Sequence, residues 1–444
     1  MLRQSRKEFL KTMVAGSAGL AMSSSIFPSK AFAGIAGANE RINVAIIGAN
    51  GRGNYMASKF AQADQVKVTY VCDVDERVIG KVQKRLDKNY GYKPKGEKDF
   101  RKMLEDHSVD AVYIATPDHW HTPASILALQ AGKHVFVEKP SSHNPREGEL
   151  FLQAHQKYGK VVQMGNQQRS APETIEAIAM IHDGVIGRAY FGKAWYANNR
   201  KSIGVGKVVK IPHWLDWDLY QGPAPRTDYR DNIVHYNWHW FKRWGTGEIL
   251  NNGTHEVDIC RWALDVNYPV RVTSSGGRYA FRDDWEFYDT QVASFDYPDR
   301  KTIVWEGRSC NGFQLYGRGR GSIIFGTEGT AIIDRNGYEF YDRSGKLMKE
   351  AKASSKNATL NTRGGGNLDD LHIANFMNAI RVGEKLHSPI EEGNVSVTTC
   401  LLGNIAQEVG RTLKTDPQTG KILHDDDAMR YWGRVYEKGW EPVV

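Results

Sequence analysis

Cysteine is scarce in this 444-residue chain: Cys72, Cys260, Cys310 and Cys400 lie far apart, with no short-spaced pair. That excludes a small disulfide-stapled scaffold and a cysteine-based zinc site of ordinary ligand spacing. A long apolar run is also missing, so no stable membrane span is expected. Internal repeats and low-complexity tails are absent too. Nor is there much excess of one charge. The formal net charge is +8, but Arg3, Arg6, Lys7, Lys11 and Lys30 against Glu8 supply half of it within the first 33 residues, so nucleic-acid binding has little support. The length predicts two domains, and the balance of apolar and charged residues is that of an ordinary globular protein.

Residues 1–33 read as an export signal. A basic start "RQSRKEFLK" precedes a weakly apolar run and the small-residue sequence "AFA" before Gly34. "SRKEFLK" resembles a twin-arginine signal with Lys7 in place of the second arginine, and that resemblance implies export of a folded, cofactor-loaded protein to the periplasm. An ordinary secretory signal is the alternative. Unpaired cysteines fit folding before export.

From residue 40 to 163 short apolar runs, "INVAIIG", "VKVTYVCD", "DAVYIATP", "HVFVEKP" and "VVQMG", alternate with helix-like segments such as "RVIGKVQKRLDK" and "HTPASILALQAG". This alternation predicts an α/β domain with a doubly wound parallel sheet. Residues 164–444 change texture. Alternating runs such as "AYFGKAWYA", "TQVASFDY" and "KTIVWEGRS" predict a large, mostly antiparallel open sheet. Two late helices, in "DDLHIANFMNAIRVG" and "VSVTTCLLGNIAQEVGRTL", are expected to pack on that sheet or back on the first domain. The polar, glycine-ending stretch 346–366 reads as a loop.

Chemistry concentrates where the predicted parallel strands end. Gly48, Gly51 and Gly53 follow the first strand and open a helix, so backbone N–H groups there can approach a pyrophosphate. Asn50 stands where a G-x-G-x-x-G pattern has its second glycine, and Arg52 lies inside the turn. Asp73, 25 residues after Gly48, ends the second strand. A carboxylate there accepts from ribose hydroxyls and repels a 2′-phosphate, which favours NAD over NADP.

In order along the chain, "GANGRG", "ATPDHWHTP", "VEKP" and "GTGEILNNGTHEVDICRWAL" resemble the Gfo/Idh/MocA family of glucose-fructose oxidoreductase and inositol dehydrogenase, over about residues 42–415. The resemblance implies a Rossmann domain followed by an α/β domain whose open sheet often forms homo-oligomers. It implies that Lys139 transfers the proton, with Pro140 fixing its turn and Glu138 beside it. Thr116, Pro117 and His121 would lie near the nicotinamide, with a structural hydrogen-bond role the alternative for His121. Bringing an amine that titrates near about 10.4 to neutral pH takes roughly 4.6 kcal/mol of preference for its uncharged form.

The family's second element is an aspartate and a histidine four residues apart. His255 matches the histidine, but Asn251 stands at the aspartate position. An amide holds no proton, so acid–base work falls to Lys139 and His255. No further histidine or carboxylate is spaced to make His255 a metal ligand, and no metal is expected. Trp238, Trp240 and Trp244, with His235 and His239, offer either a stacking wall for a sugar ring or core packing. Asn166 and Gln167 are candidates either for hydroxyl binding or for structural hydrogen bonds.

The expectation is an exported oxidoreductase that oxidises a hydroxyl of a sugar or glycoside with tightly retained NAD. The alternative is a redox-neutral, NAD-dependent glycosidase resembling N-acetylgalactosaminidases, which oxidises, eliminates, hydrates and re-reduces. A nucleotide-bound sensor without turnover is a third reading.

Overall fold

A computed structural model of the chain describes residues 41–353 and 368–444; the expected export signal lies outside these residues. Six strands, β1 (Ile42–Ile47), β2 (Val66–Cys72), β3 (Lys95–Glu97), β4 (Ala111–Ile114), β5 (His134–Val137) and β6 (Val162–Met164), form an all-parallel sheet in the order β3-β2-β1-β4-β5-β6. The strand order reverses beside β1. This is where an open α/β sheet has its ligand crevice, outside the strands' carboxyl ends.

The central strands β1, β4 and β5 are apolar and buried almost throughout because helices cover both faces. Every residue of β4 is buried, and Phe60 and Tyr113 each pack edge to face with Phe136 on one side of the sheet. Helix ends follow their sequence signals. The Asp75 side chain caps α1 (Glu76–Tyr90), and Gly91 closes it with φ of 70°. Asn144 caps α2 (Pro145–Tyr158) by accepting from the Glu147 N–H, and Gly159 ends it the same way.

Nine strands make the second sheet: β7 (Ala189–Ala197), β8 (Arg271–Gly277), β9 (Thr290–Tyr297), β10 (Lys301–Arg308), β11 (Arg320–Gly326), β12 (Gly329–Asp334), β13 (Gly337–Asp342), β14 (Leu347–Lys352) and β15 (Leu413–Lys414). Their order is β14-β13-β12-β11-β7-β10-β9-β8-β15, antiparallel except for the β7/β10 pair. Period-two patterning is plain in β9, where Gln291, Ala293, Phe295 and Tyr297 are buried while Val292 is exposed. The inner face packs against helices Thr254–Leu264 and Ile390–Val409. The helix Leu368–Val382 instead returns to the first sheet through Ile373, Phe376 and Met377.

One expectation needs correction: residues 347–352, expected inside a loop, form the edge strand β14. The short polar strand β3, outside the expected apolar runs, pairs with β2 as the other edge. Both edges face solvent on more than one side, so they need no hydrophobic period. Most of the rest of that expected loop lies outside the described residues.

Candidate active site

The turn after β1 is built around two backbone approaches that only glycine permits. At Gly48, φ is 81° and a Cβ would sit 2.6 Å from the Ala115 carbonyl oxygen; at Gly53 it would sit 1.8 Å from the Gly48 oxygen. Gly53 therefore packs helix against strand while Gly48, Asn50, Gly51 and Arg52 line the cleft. At the end of β2, Asp73 accepts from the Ala49 N–H (2.7 Å) and the Asp75 N–H (2.9 Å), and burial pushes its carboxyl above its ordinary value. A glycine cradle at a helix N-terminus with a carboxylate at the neighbouring strand end fits a dinucleotide.

The cleft measures about 610 Å³ and runs from Asp73, Lys98 and Phe100 past Thr116, Pro117 and His121 to Lys139, Asn251 and His255. A segment that follows strand β7, residues 214–235, closes over its Asp73 end. Val74 packs among Leu215, Trp217 and Tyr220, and His235 Nε2 lies 2.7 Å from Asp75.

Lys139 stands at the carboxyl end of β5, where the Lys139–Pro140 bond is cis. Its Nζ donates to the backbone oxygen of Asn251 (2.7 Å) and to Asn251 Oδ1 (3.2 Å). Burial pushes the amine below its ordinary value, partly opposed by the carboxylates of Glu138 and Asp118. Glu138 does not orient this amine. It accepts from Arg52 Nε (2.8 Å) and Tyr113 OH (2.8 Å), and Arg52 reaches on to Asp369. Burial alone would raise the Glu138 carboxyl, but Arg52 and Lys139 overcome that and leave it lowered. The amine is instead aimed by Asn251.

Asn251 belongs to a π-turn, Ile249–Gly253, that leads into the helix Thr254–Leu264; such turns re-aim side chains in functional sites. Its Nδ2 donates to Glu248 Oε1 (3.1 Å). Glu248, which sequence reasoning missed, is buried and also accepts from Arg200 Nε (2.7 Å), Asn252 and Ser309 (2.8 Å). A signal was available, since Glu248, Asn251 and His255 fall at i, i+3 and i+7, one helical face. One turn on, His255 lines the cleft. Burial and then the guanidiniums of Arg335 and Arg320 push its imidazole well below the ordinary value, so it stands neutral near pH 7.

The other expected binders divide. Trp238 and His239 line the cleft with their rings stacked 3.6 Å apart, whereas Trp240 is 1% exposed and stacks 3.8 Å from Trp285 in the core. Trp244 is buried in the cluster around Trp217. Gln167 lines the cleft; Asn166 is buried and does not. Both ring nitrogens of His121 are taken by backbone carbonyls, Pro140 (2.6 Å) and Thr116 (2.9 Å), so this ring ties the β4 end to the lysine turn. Asp118 was missed as well; burial raises its carboxyl, and Thr246 Oγ1 donates to it. Among the described residues no group of three or more His, Cys, Asp or Glu is placed to hold a metal, and no helix is long and apolar enough to cross a membrane.

Comparison with known proteins supports both halves. Residues 42–166 match the oxidoreductase family model described as an NAD-binding Rossmann fold, and residues 191–441 match the corresponding C-terminal alpha/beta domain model. A Saccharopolyspora erythraea protein named as glycosyl hydrolase family 109 is 31% identical over 253 residues, 51% of this chain and 55% of that protein. An alpha-N-acetylgalactosaminidase of Shewanella oneidensis is 28% identical over 208 residues, 43% of this chain and 45% of the enzyme. The chain thus spans about half the length of the curated relatives it matches. Among solved structures, an aldose-aldose oxidoreductase from Caulobacter crescentus complexed with glycerol aligns with a TM-score of 0.62 at 18% identity, covering 84% of this chain and 99% of that one, which is a likeness of fold.

Proposed function

The chain belongs to the Gfo/Idh/MocA oxidoreductase family through both its Rossmann and its C-terminal domain, and from that premise we propose that it oxidises a hydroxyl of a sugar or glycoside with retained NAD. The observation that carries this reading is the Lys139 amine, buried at the carboxyl end of β5 in the same cleft as the glycine turn. NAD, when bound, supplies the hydride acceptor for the carbinol carbon. Gly48, Asn50, Gly51 and Asp73 would hold it, and the carboxylate of Asp73 favours NAD over NADP.

The chain's own residues do the rest. Burial lowers Lys139 toward the free amine, the form that can take the hydroxyl proton. Asn251 fixes the direction of that amine with two oxygens, and Glu248 fixes Asn251. His255, held neutral, is a second proton acceptor in reach of the same space. Trp238 and His239 present a stacked face for a sugar ring.

Retention of the cofactor is supported by the segment packed over Val74 and the His235–Asp75 contact. It matters because residues 1–33 carry an export signal in our reading, and a periplasmic enzyme meets no pool of free NAD. Association of copies through the nine-stranded sheet is part of the same proposal.

The names of the relatives favour a second reading, a redox-neutral glycosidase. Oxidation of the hydroxyl would acidify the neighbouring C–H, a base such as His255 would remove that proton, and the glycosidic oxygen would leave with a proton. Water would then add, and the ketone would be reduced again, with no net redox change. Product analysis on a panel of glycosides separates the two. A stable keto-sugar supports the dehydrogenase, a released reducing sugar with unchanged nicotinamide absorbance supports the glycosidase, and no conversion of any sugar contradicts both.

A further inference from the structure

One charged group in the cleft is used by nothing described above. Arg335 lies in the turn between β12 and β13, lines the cleft, and forms no ion pair within 4.0 Å among the described residues. Its Nε is buried without a hydrogen-bond partner. The carboxylates around it are already committed. Asp369 is held by both terminal nitrogens of Arg52 (3.1 and 2.6 Å), Glu256 is held by Arg320, and the adjacent Asp334 accepts from Arg318 Nε (2.8 Å). A half-buried guanidinium pays for lost hydration and is ordinarily paired, so a cleft that leaves one unpaired is built for an anion that arrives with the ligand.

Position distinguishes which ligand. The phosphates of a dinucleotide are met by the glycine turn and helix N-terminus after β1, where Arg52 is already neutralised by Glu138 and Asp369. Arg335 comes instead from the turn between two strands of the second sheet, and it is a close electrostatic neighbour of His255, a proposed proton acceptor, and of the Arg52 guanidinium that Glu138 and Asp369 already hold. Besides His255, the charged groups facing it are Arg320, Glu256, Asp369 and Arg52.

We propose that Arg335 binds a singly charged oxyanion on the substrate, so that the proposed sugar or glycoside is an acidic one, carrying a uronate carboxylate or a sulfate ester. This rests on the functional reading above and narrows its substrate class. The planar fork of a guanidinium pairs with two oxygens of either group.

The test uses the NAD-loaded full chain and three forms of one glycoside: neutral, 6-carboxylate and 6-sulfate. Wild type is expected to favour one charged form over the neutral one by roughly 10–100-fold in kcat/KM, with the preferred arm identifying the group. Arg335→Gln should collapse that ratio toward one and Arg335→Lys should recover part of it. A wild type indifferent to the charge, or an Arg335→Gln variant that keeps the ratio and instead loses NAD, overturns the proposal. If no glycoside is turned over, the functional reading fails separately. Calorimetric titration with glucuronate and with glucose 6-sulfate then decides the anion site: binding abolished by Arg335→Gln supports it, and no binding or unaltered binding overturns it.

Discussion

Replacing Asn251 by aspartate restores the residue the family resemblance leads one to expect, yet it should impair this protein near neutral pH. The exchange puts a carboxylate oxygen where Nδ2 now donates to Glu248, 3.1 Å away. Two charged oxygens at that distance repel by about 5 kcal/mol at an effective dielectric near 20. On the other side, Oδ1 lies 3.2 Å from Lys139 Nζ, and an ionised carboxylate there attracts an ammonium by about the same amount. The two terms cancel only while Lys139 is protonated. The variant therefore stabilises the charged amine or drives the carboxylate pair to share a proton. Allowing for that sharing, the lysine's titration should move up by roughly one to three pH units. Since the free amine is the working base, the acid limb of kcat/KM should move to higher pH, with activity at pH 7 down about 10–1000-fold and recovered on the alkaline side. The assay is turnover of a glycoside by the NAD-loaded variant from pH 5 to 10. An unmoved limb, or a gain at pH 7, would refute the reasoning.

Lys139→Met should lower turnover by about 10²–10⁴-fold while the protein keeps its NAD; undiminished turnover would remove the lysine from the chemistry. Asp73→Ala strips the acceptor from the Ala49 and Asp75 N–H groups. It should cost about 1–3 kcal/mol of stability by thermal unfolding and narrow the preference for NAD over NADP in binding to stripped protein; an unchanged preference would dissociate Asp73 from the ribose. Trp240→Ala should cost about 3–5 kcal/mol of stability, whereas Trp238→Ala should chiefly raise KM. The reverse pattern would show that the wrong indole was assigned to the cleft.

The parallel half of the fold was legible because its strands are buried on both faces and its turns carry glycine for identifiable reasons. Edges were not, since β3 is only three residues, Lys-Gly-Glu, and β14 carries no period-two apolar face. Within the site, Lys139 and Asn251 are 112 residues apart in sequence, and no local pattern says that they touch; the family motifs put both among the catalytic elements, and the structure shows the contact. Spacing also failed at the tryptophans. Alternation suggested one face for Trp238 and Trp240, but residues 237–240 form a 3₁₀ turn, in which positions two apart diverge, so one ring meets the cleft and the other the core. Arg335 follows an ordinary apolar strand into a turn, and its meaning lies only in the lack of a partner, which is a property of three dimensions.

The central claim is that a dinucleotide occupies this cleft with Lys139 beside its reactive end. Its most direct measurement is the nucleotide freed when purified full-length protein is denatured, quantified by mass spectrometry. The account predicts close to one NAD per chain and little NADP. Protein that releases no nucleotide, and that binds no NAD by calorimetry when it is supplied, would contradict it.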